Sequence, residues 1–263
     1  MTVAPEPSRS LDSTLLARLD VLAAADVLLV ACDFDGTLAE IVLDPASARA
    51  QPQAIDALQS LADLARTHVA VVSGRSRREL IGLTAQHDAF VLVGSHGAEL
   101  DEAFGSTIAP AATALLDEIY CGLTALAATP GVHLERKSAS IAVHYREVRP
   151  DQQPAVVEAV LGGPATITGV RTMHGKKVVE LSVVEAHKGS AVAHLRERFS
   201  ATAVLFIGDD VTDEDAFAVL TGSDLGIKVG PGATSADQRV RDPVEVTAVL
   251  VALLARRSSA VPR

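Results

Sequence analysis

Residues 27–38 read Val-Leu-Leu-Val-Ala-Cys-Asp-Phe-Asp-Gly-Thr-Leu. The apolar run from Val27 to Cys32 predicts a buried strand. Two carboxylates stand at its carboxyl end, where open α/β sheets collect their active sites. Residues i and i+2 of an extended chain point to one side, so Asp33 and Asp35 can converge on one reacting centre. Gly36 permits a sharp turn and a close approach of ligand to backbone. Crowded carboxylates repel unless they share a proton or face a cation. One can then serve as a metal-held nucleophile and the other as a general acid/base. Taken alone, the stretch also describes a helix N-cap or an Asx turn after a strand.

Working outward, short apolar runs recur at 69–72, 90–93, 203–207 and, interrupted by Lys228, at 225–229. Helical patterns flank several of them. Ile55, Leu58, Leu61, Ala62 and Ala65 share one face, and Pro52 suits a first turn. Buried strands alternating with amphipathic helices predict an α/β fold, a doubly wound and largely parallel sheet. From Ser140 to Val148 the pattern changes. Ile141, Val143 and Tyr145 alternate with Ser140, Ala142, His144 and Arg146, as in a half-exposed strand of an antiparallel sheet. Residues 177–184 read as another strand, and Leu161-Gly-Gly-Pro164 as a break. The expected organisation is a core of residues 1–104 and 184–263 with a smaller α+β unit, 105–183, inserted. Residues 1–10 and 256–263 are expected to be frayed ends.

Composition narrows the class. Across 263 residues, 48% are apolar, enough for a sizeable core, and there is no Trp to build a stacking platform for bases. A net charge of −10 disfavours nucleic acid or an anionic membrane as partner. A negatively charged small-molecule substrate would need a local positive site or a metal. Cys32 and Cys121 are too few for a disulfide framework. No apolar run approaches a membrane span, and no charged start leads into an apolar stretch, so the expected location is cytoplasmic. Oligomeric state leaves no mark on the sequence.

Four further stretches carry chemistry. Ser73-Gly74-Arg75 ends a strand and can bind an oxyanion through hydroxyl, backbone N–H and guanidinium, or can be an ordinary turn with a Ser cap. In Gly208-Asp-Asp-Val-Thr-Asp-Glu-Asp215, five acids fall within seven residues after an apolar strand. Hard carboxylate oxygens suit Mg2+, whereas an acidic helix N-terminus would account for Asp213 and Glu214 but less readily for Asp209. His187-Lys188-Gly189 opens a helix expected over 190–198; Lys188 is either a solvated surface group or a phosphate ligand. Glu135-Arg-Lys137 and Gly175-Lys-Lys-Val-Val-Glu180 can be a salt-bridged surface or a grip on a polyhydroxylated ligand. His96, in Gly94-Ser-His-Gly-Ala-Glu99, can contact substrate or only its own loop.

In this order, Asp33-Phe-Asp-Gly-Thr, Ser73-Gly-Arg, Lys188-Gly and Gly208-Asp-Asp-x-x-Asp213 resemble the four motifs of the haloacid-dehalogenase (HAD) superfamily of aspartate-nucleophile phosphohydrolases. The stretches 94–99, Glu135-Arg-Lys…His144-Tyr-Arg and Gly175-Lys…Glu180 resemble the trehalose-6-phosphate phosphatase family, over roughly residues 27–250. The resemblance implies a HAD-like core carrying a cap between the second and third motifs. It implies Asp33 as nucleophile, Asp35 as general acid/base, and Ser73 and Lys188 as phosphoryl ligands. It implies Mg2+ held by Asp33, the Asp35 carbonyl and Asp209, with Asp213 in support. Glu135, Lys137 and Glu180 would read the distal sugar, and Arg75 and His96 would touch the substrate. Phosphatases of sucrose phosphate and mannosyl-phosphoglycerate share the core motifs and differ in the cap. A catalytically silent sugar-phosphate sensor would have no need of Asp33 and Asp35 together with Lys188 and Asp209.

Overall fold

The computed structural model describes residues 11–84, 90–99, 110–137, 139–184 and 186–260. Ten strands and eight α-helices lie along these residues. The first part of the chain gives α1 (Ser13–Ala23), β1 (Leu28–Cys32), α2 (Pro52–Ala62), β2 (Thr67–Val72), α3 (Arg77–Thr84) and β3 (Val91–Val93). There follow α4 (Pro110–Leu123), β4 (His133–Arg136), β5 (Ser140–His144), α5 (Gln153–Gly162), β6 (Arg171–Gly175) and β7 (Val178–Ser182). The last part holds α6 (Lys188–Phe199), β8 (Ala203–Gly208), α7 (Glu214–Phe217), β9 (Leu225–Val229), β10 (Gln238–Val240) and α8 (Pro243–Ala260).

These residues form two compact units. One comprises 1–72, 81–91 and 188–263; the other comprises 73–80 and 92–187. The expected boundary near 105 lies outside the described residues.

The first unit is built on a sheet ordered β10-β9-β8-β1-β2-β3. β1 lies between β2 and β8, parallel to both, with Cys32 opposite Val71 on one side and Ile207 on the other. A strand hydrogen-bonded on both edges and covered on both faces needs an unbroken apolar run, and every residue of β1 is buried. From β1 the sheet grows one way through β2 and the other way through β8. The connection therefore reverses between β1 and β8, and the crevice beyond their carboxyl ends is where such sheets bind ligands. Helices α1 and α2 pack against α8.

The expected fraying of 256–263 does not hold as far as Ala260, where α8 ends. Arg257 is fully buried and donates to the carbonyls of Ala23 and Arg66 and to the Thr67 hydroxyl, so it bolts α8 to α1 and β2. The apolar-content argument missed this because the anchor is a guanidinium.

The second unit carries an antiparallel sheet, β4-β5-β7-β6. Ile141, Val143, Val179 and Leu181 project from one face into a core with Leu116, Ile119 and Leu123 of α4 and Val156 and Val160 of α5. The other face was expected to be exposed, and toward one end it is: His144 is half-buried and Arg146 exposed. At the other end Ser140 and Ala142 are buried, and the register sets Glu135, Ala142, Glu180 and Met173 in one row across the four strands. This face is polar partly because it holds a buried carboxylate.

Candidate active site

β1 ends at Cys32, and the Asp33 N–H extends the pairing once more, donating to Ile207 O at 2.9 Å. The chain then bends. Phe34 is wholly buried, and its carbonyl accepts from Leu38 and Ala39 N–H at 2.9 Å each, while Gly36 N–H donates to Ala39 O at 2.8 Å. Gly36 has φ +78°, a left-handed value costly for any residue with a Cβ. The Asp209 carboxylate lies against it; a Cβ there would stand 2.1 Å from Asp209 Oδ2.

At the end of β8 the same device recurs. A Cβ on Gly208 would stand 2.5 Å from Asp213 Oδ2. Asp210 N–H donates to that oxygen at 2.8 Å, and the Asp210 side chain accepts from the Asp213 N–H, a reciprocal cap on the short turn 211–213.

One oxygen from each of Asp33, Asp209 and Asp213 falls within 4.8 Å of the others. Lys188, the first residue of α6 and only 2% exposed, places Nζ 3.0 Å from Asp33 Oδ1 and 2.7 Å from Asp213 Oδ1. Three carboxylates thus crowd together, two of them on one ammonium. Burial raises the Asp33 pKa well above the carboxylate range; Lys188 opposes this, and Asp213 and Asp209 add to it. Burial works against the Lys188 ammonium, but Asp213 and Asp33 outweigh it and raise its pKa. The cluster fits a divalent hard cation, with Gly36 and Gly208 leaving room for its carboxylates. Asp213 has both oxygens engaged by protein donors, so it braces the cluster. Asp35 is partly exposed, and its carboxylate is not among the three.

In the second unit, Lys137 Nζ donates to Gly74 O at 2.8 Å and Glu180 Oε2 at 3.1 Å. Glu180 Oε1 accepts from Ser140 Oγ at 2.5 Å, and His96 Nε2 lies 3.7 Å from Oε2. Burial would raise the Glu180 pKa, but the facing His96 ring and the charge of Lys137 outweigh it and bring it to about 2. His96 has φ +55° and rests its ring on Gly74, where a Cβ would be 2.5 Å away. Glu135 pairs with His144 Nε2 at 2.9 Å, and this bond holds its carboxyl below the usual range.

Ser73 is buried, its Oγ accepting from Arg75 N–H at 3.2 Å. Arg75 O accepts from Ser95 N–H, and Glu99 ties Arg77 N–H to the Ser95 hydroxyl, joining 73–77 to 94–99.

Asp33, Lys188, Asp209 and Asp213 thus come together in the first unit, and Lys137, Glu180 and His96 in the second. Sequence reasoning assigned no role to three groups. Ser140 and His144 orient Glu180 and Glu135; their alternation with apolar residues was visible, but not their partners. Lys228 read only as a break in an apolar strand, yet it is buried, with Nζ donating to the carbonyls of Asp209 and Asp210.

Comparison with known proteins gives one family. The trehalose-phosphatase family model matches residues 31–245. Trehalose-6-phosphate phosphatase of Escherichia coli K12 is 35% identical over 213 residues, 79% of this chain and 79% of that protein. Trehalose-phosphate phosphatase of Mycobacterium tuberculosis H37Rv is 37% identical over 261 residues; the match covers 92% of this chain but 63% of the relative, under two thirds of its length. Among solved structures, a trehalose-6-phosphate phosphatase related protein superposes with a TM-score of 0.71 at 28% identity, covering 86% of this chain and 97% of that one.

Proposed function

The chain belongs to the trehalose-phosphatase family, and we propose on that footing that it hydrolyses trehalose 6-phosphate to trehalose and phosphate, with Mg2+ and through a phosphorylated Asp33. The observation that carries the reading is the buried Asp33–Lys188 pair beside Asp209 and Asp213 at the sheet's switch point.

In the first step an Asp33 carboxylate oxygen attacks phosphorus, and the bond from phosphorus to the sugar oxygen breaks. Asp35 gives that oxygen its proton. In the second, Asp35 takes a proton from water, whose oxygen attacks the aspartyl-phosphate and frees Asp33 and phosphate. Lys188 and Ser73 bind the phosphoryl group, and the ammonium offsets charge on its oxygens. Asp33, Asp209 and the Asp35 carbonyl would hold Mg2+, which when bound supplies further positive charge to those oxygens. Asp213 keeps Lys188 aimed. Glu135, Lys137 and Glu180 read the distal glucose, with His96 and Arg75 as further substrate contacts. The residues 105–183 between the second and third motifs act as the specificity-bearing cap.

A cytoplasmic setting agrees with two unpaired cysteines and with the finding that no helix among the described residues is long and apolar enough to cross a membrane.

Phosphate release from trehalose 6-phosphate, sucrose phosphate and mannosyl-phosphoglycerate tests the reading. The parent should prefer the first, lose activity in chelator and regain it with Mg2+, and Asp33→Asn should be inactive while folded. Preference for another sugar overturns the substrate. Turnover by purified Asp33→Asn overturns the mechanism.

A further inference from the structure

Lys228 has no part in the reaction proposed above, yet it is a cation 4% exposed within β9, among Leu225, Gly226, Ile227 and Val229. Taking an ammonium out of water is costly, and a strand needing only to pack would carry an aliphatic residue here. Its register partner is Gly208, the last residue of β8. From that place the side chain reaches two successive carbonyls of the turn leaving β8, donating to Asp209 O and, at 3.3 Å, to Asp210 O. These are the peptides that carry the Asp209 carboxylate onto Gly36 and open the cap from Asp210 to Asp213. The turn carries one wall of a crowded cluster, in which oxygens of Asp209, Asp213 and Asp33 lie within 4.8 Å of one another and like charges repel.

We infer that Lys228 is a positioning residue for the cation site: it fixes the Asp209–Asp210 main chain so that the Asp209 carboxylate stands in the cluster before a metal arrives. The inference rests on the metal-dependent reading above. Lys228 contacts backbone, so its loss should act on metal affinity and leave sugar-phosphate recognition alone.

Lys228→Met keeps the stem and removes both charge and donor. Mn2+ binding followed by electron paramagnetic resonance reads the site without turnover, and Mg2+ activation is measured alongside. The expected result is a folded protein whose Mn2+ affinity and half-activating Mg2+ concentration are worse by about 10- to 100-fold, as for lost outer partners of metal ligands. Activity at saturating Mg2+ should return to within a few-fold of the parent, with KM for the sugar phosphate unchanged. Parental Mn2+ affinity in Lys228→Met overturns the inference and spares the metal reading. Failure of the parent itself to bind Mn2+ overturns both. If Lys228→Met does not fold, Lys228→Gln, which keeps a neutral donor, should show the same shift at smaller size, and parental affinity there overturns the inference equally.

Discussion

Replacing Gly36 by Ala adds one methyl group at the point where the Asp209 carboxylate crosses the loop after β1. The new Cβ would lie 2.1 Å from Asp209 Oδ2 and 2.3 Å from its Cγ. Reaching an ordinary contact of 3.4 Å requires the oxygen to retreat by about 1.3 Å. An aspartate side chain can rotate away, so the clash itself need not unfold the protein. The stability loss is then mainly that of a left-handed residue with a Cβ, about 1–2 kcal/mol. The functional loss should be larger, because displacements near 1 Å in a reacting constellation cost on the order of 100-fold. Thermal unfolding and Mg2+-dependent phosphate release, measured on the same preparation, separate the two. A variant with parental turnover at parental Mg2+ concentrations would refute the view that Asp209 acts from its place on Gly36.

Asp35→Asn should slow release of a sugar by roughly two to four decades, and release of a good aryl leaving group by much less; equal losses would remove its protonating role. Lys137→Ala and Ser140→Ala each strip a donor from Glu180, and loss of a buried bond to a charged group is worth about 1.5–3 kcal/mol. Turnover of trehalose 6-phosphate should fall by one to two decades while that of a small aryl phosphate stays unchanged; parallel losses would mean the network is only structural. The Glu180 pKa is depressed from 4.5 to about 2 in the folded state. It therefore contributes stability above pH 4.5 that is lost as pH falls toward 2. Acid titration of Glu180→Gln should show a shallower loss across that window, and an unchanged profile would contradict the ion-paired state.

The parallel core was legible because β1 and β8 are central strands, and burial on both faces forces a continuous apolar run in the sequence. Asp33, Lys188, Asp209 and Asp213 were legible as chemistry for a related reason. Charges at strand ends need explaining, and the four stretches occur in a recognisable order. Their partners were not. Nothing in the spacing of Lys137 and Glu180 says that Gly74 O completes the ammonium's contacts, since that depends on how distant segments pack. The polar face of β5 was legible only in part for a similar reason: alternation marks a two-faced strand but does not say where along it the polar side meets water, as at Arg146, or a buried carboxylate, as at Ser140. Lys228 and Arg257 show the converse, where a lone cation was read as interruption or fraying although its donors were committed to backbone carbonyls.

The short segment 73–80 belongs to the same compact unit as residues 92–187, although 81–91 returns to the other. Lys137 is tied to the Gly74 carbonyl, and His96 rests on the Gly74 backbone while facing Glu180. For protein engineering, the exchangeable module is therefore not one continuous insert. A hybrid that transplants 105–183 alone would leave behind the carbonyl that Lys137 grips and the imidazole beside Glu180. One that also brings 73–80 and 92–104 from the same parent keeps the contacts among Gly74, His96, Lys137 and Glu180, and with them the Ser73-Gly74-Arg75 loop.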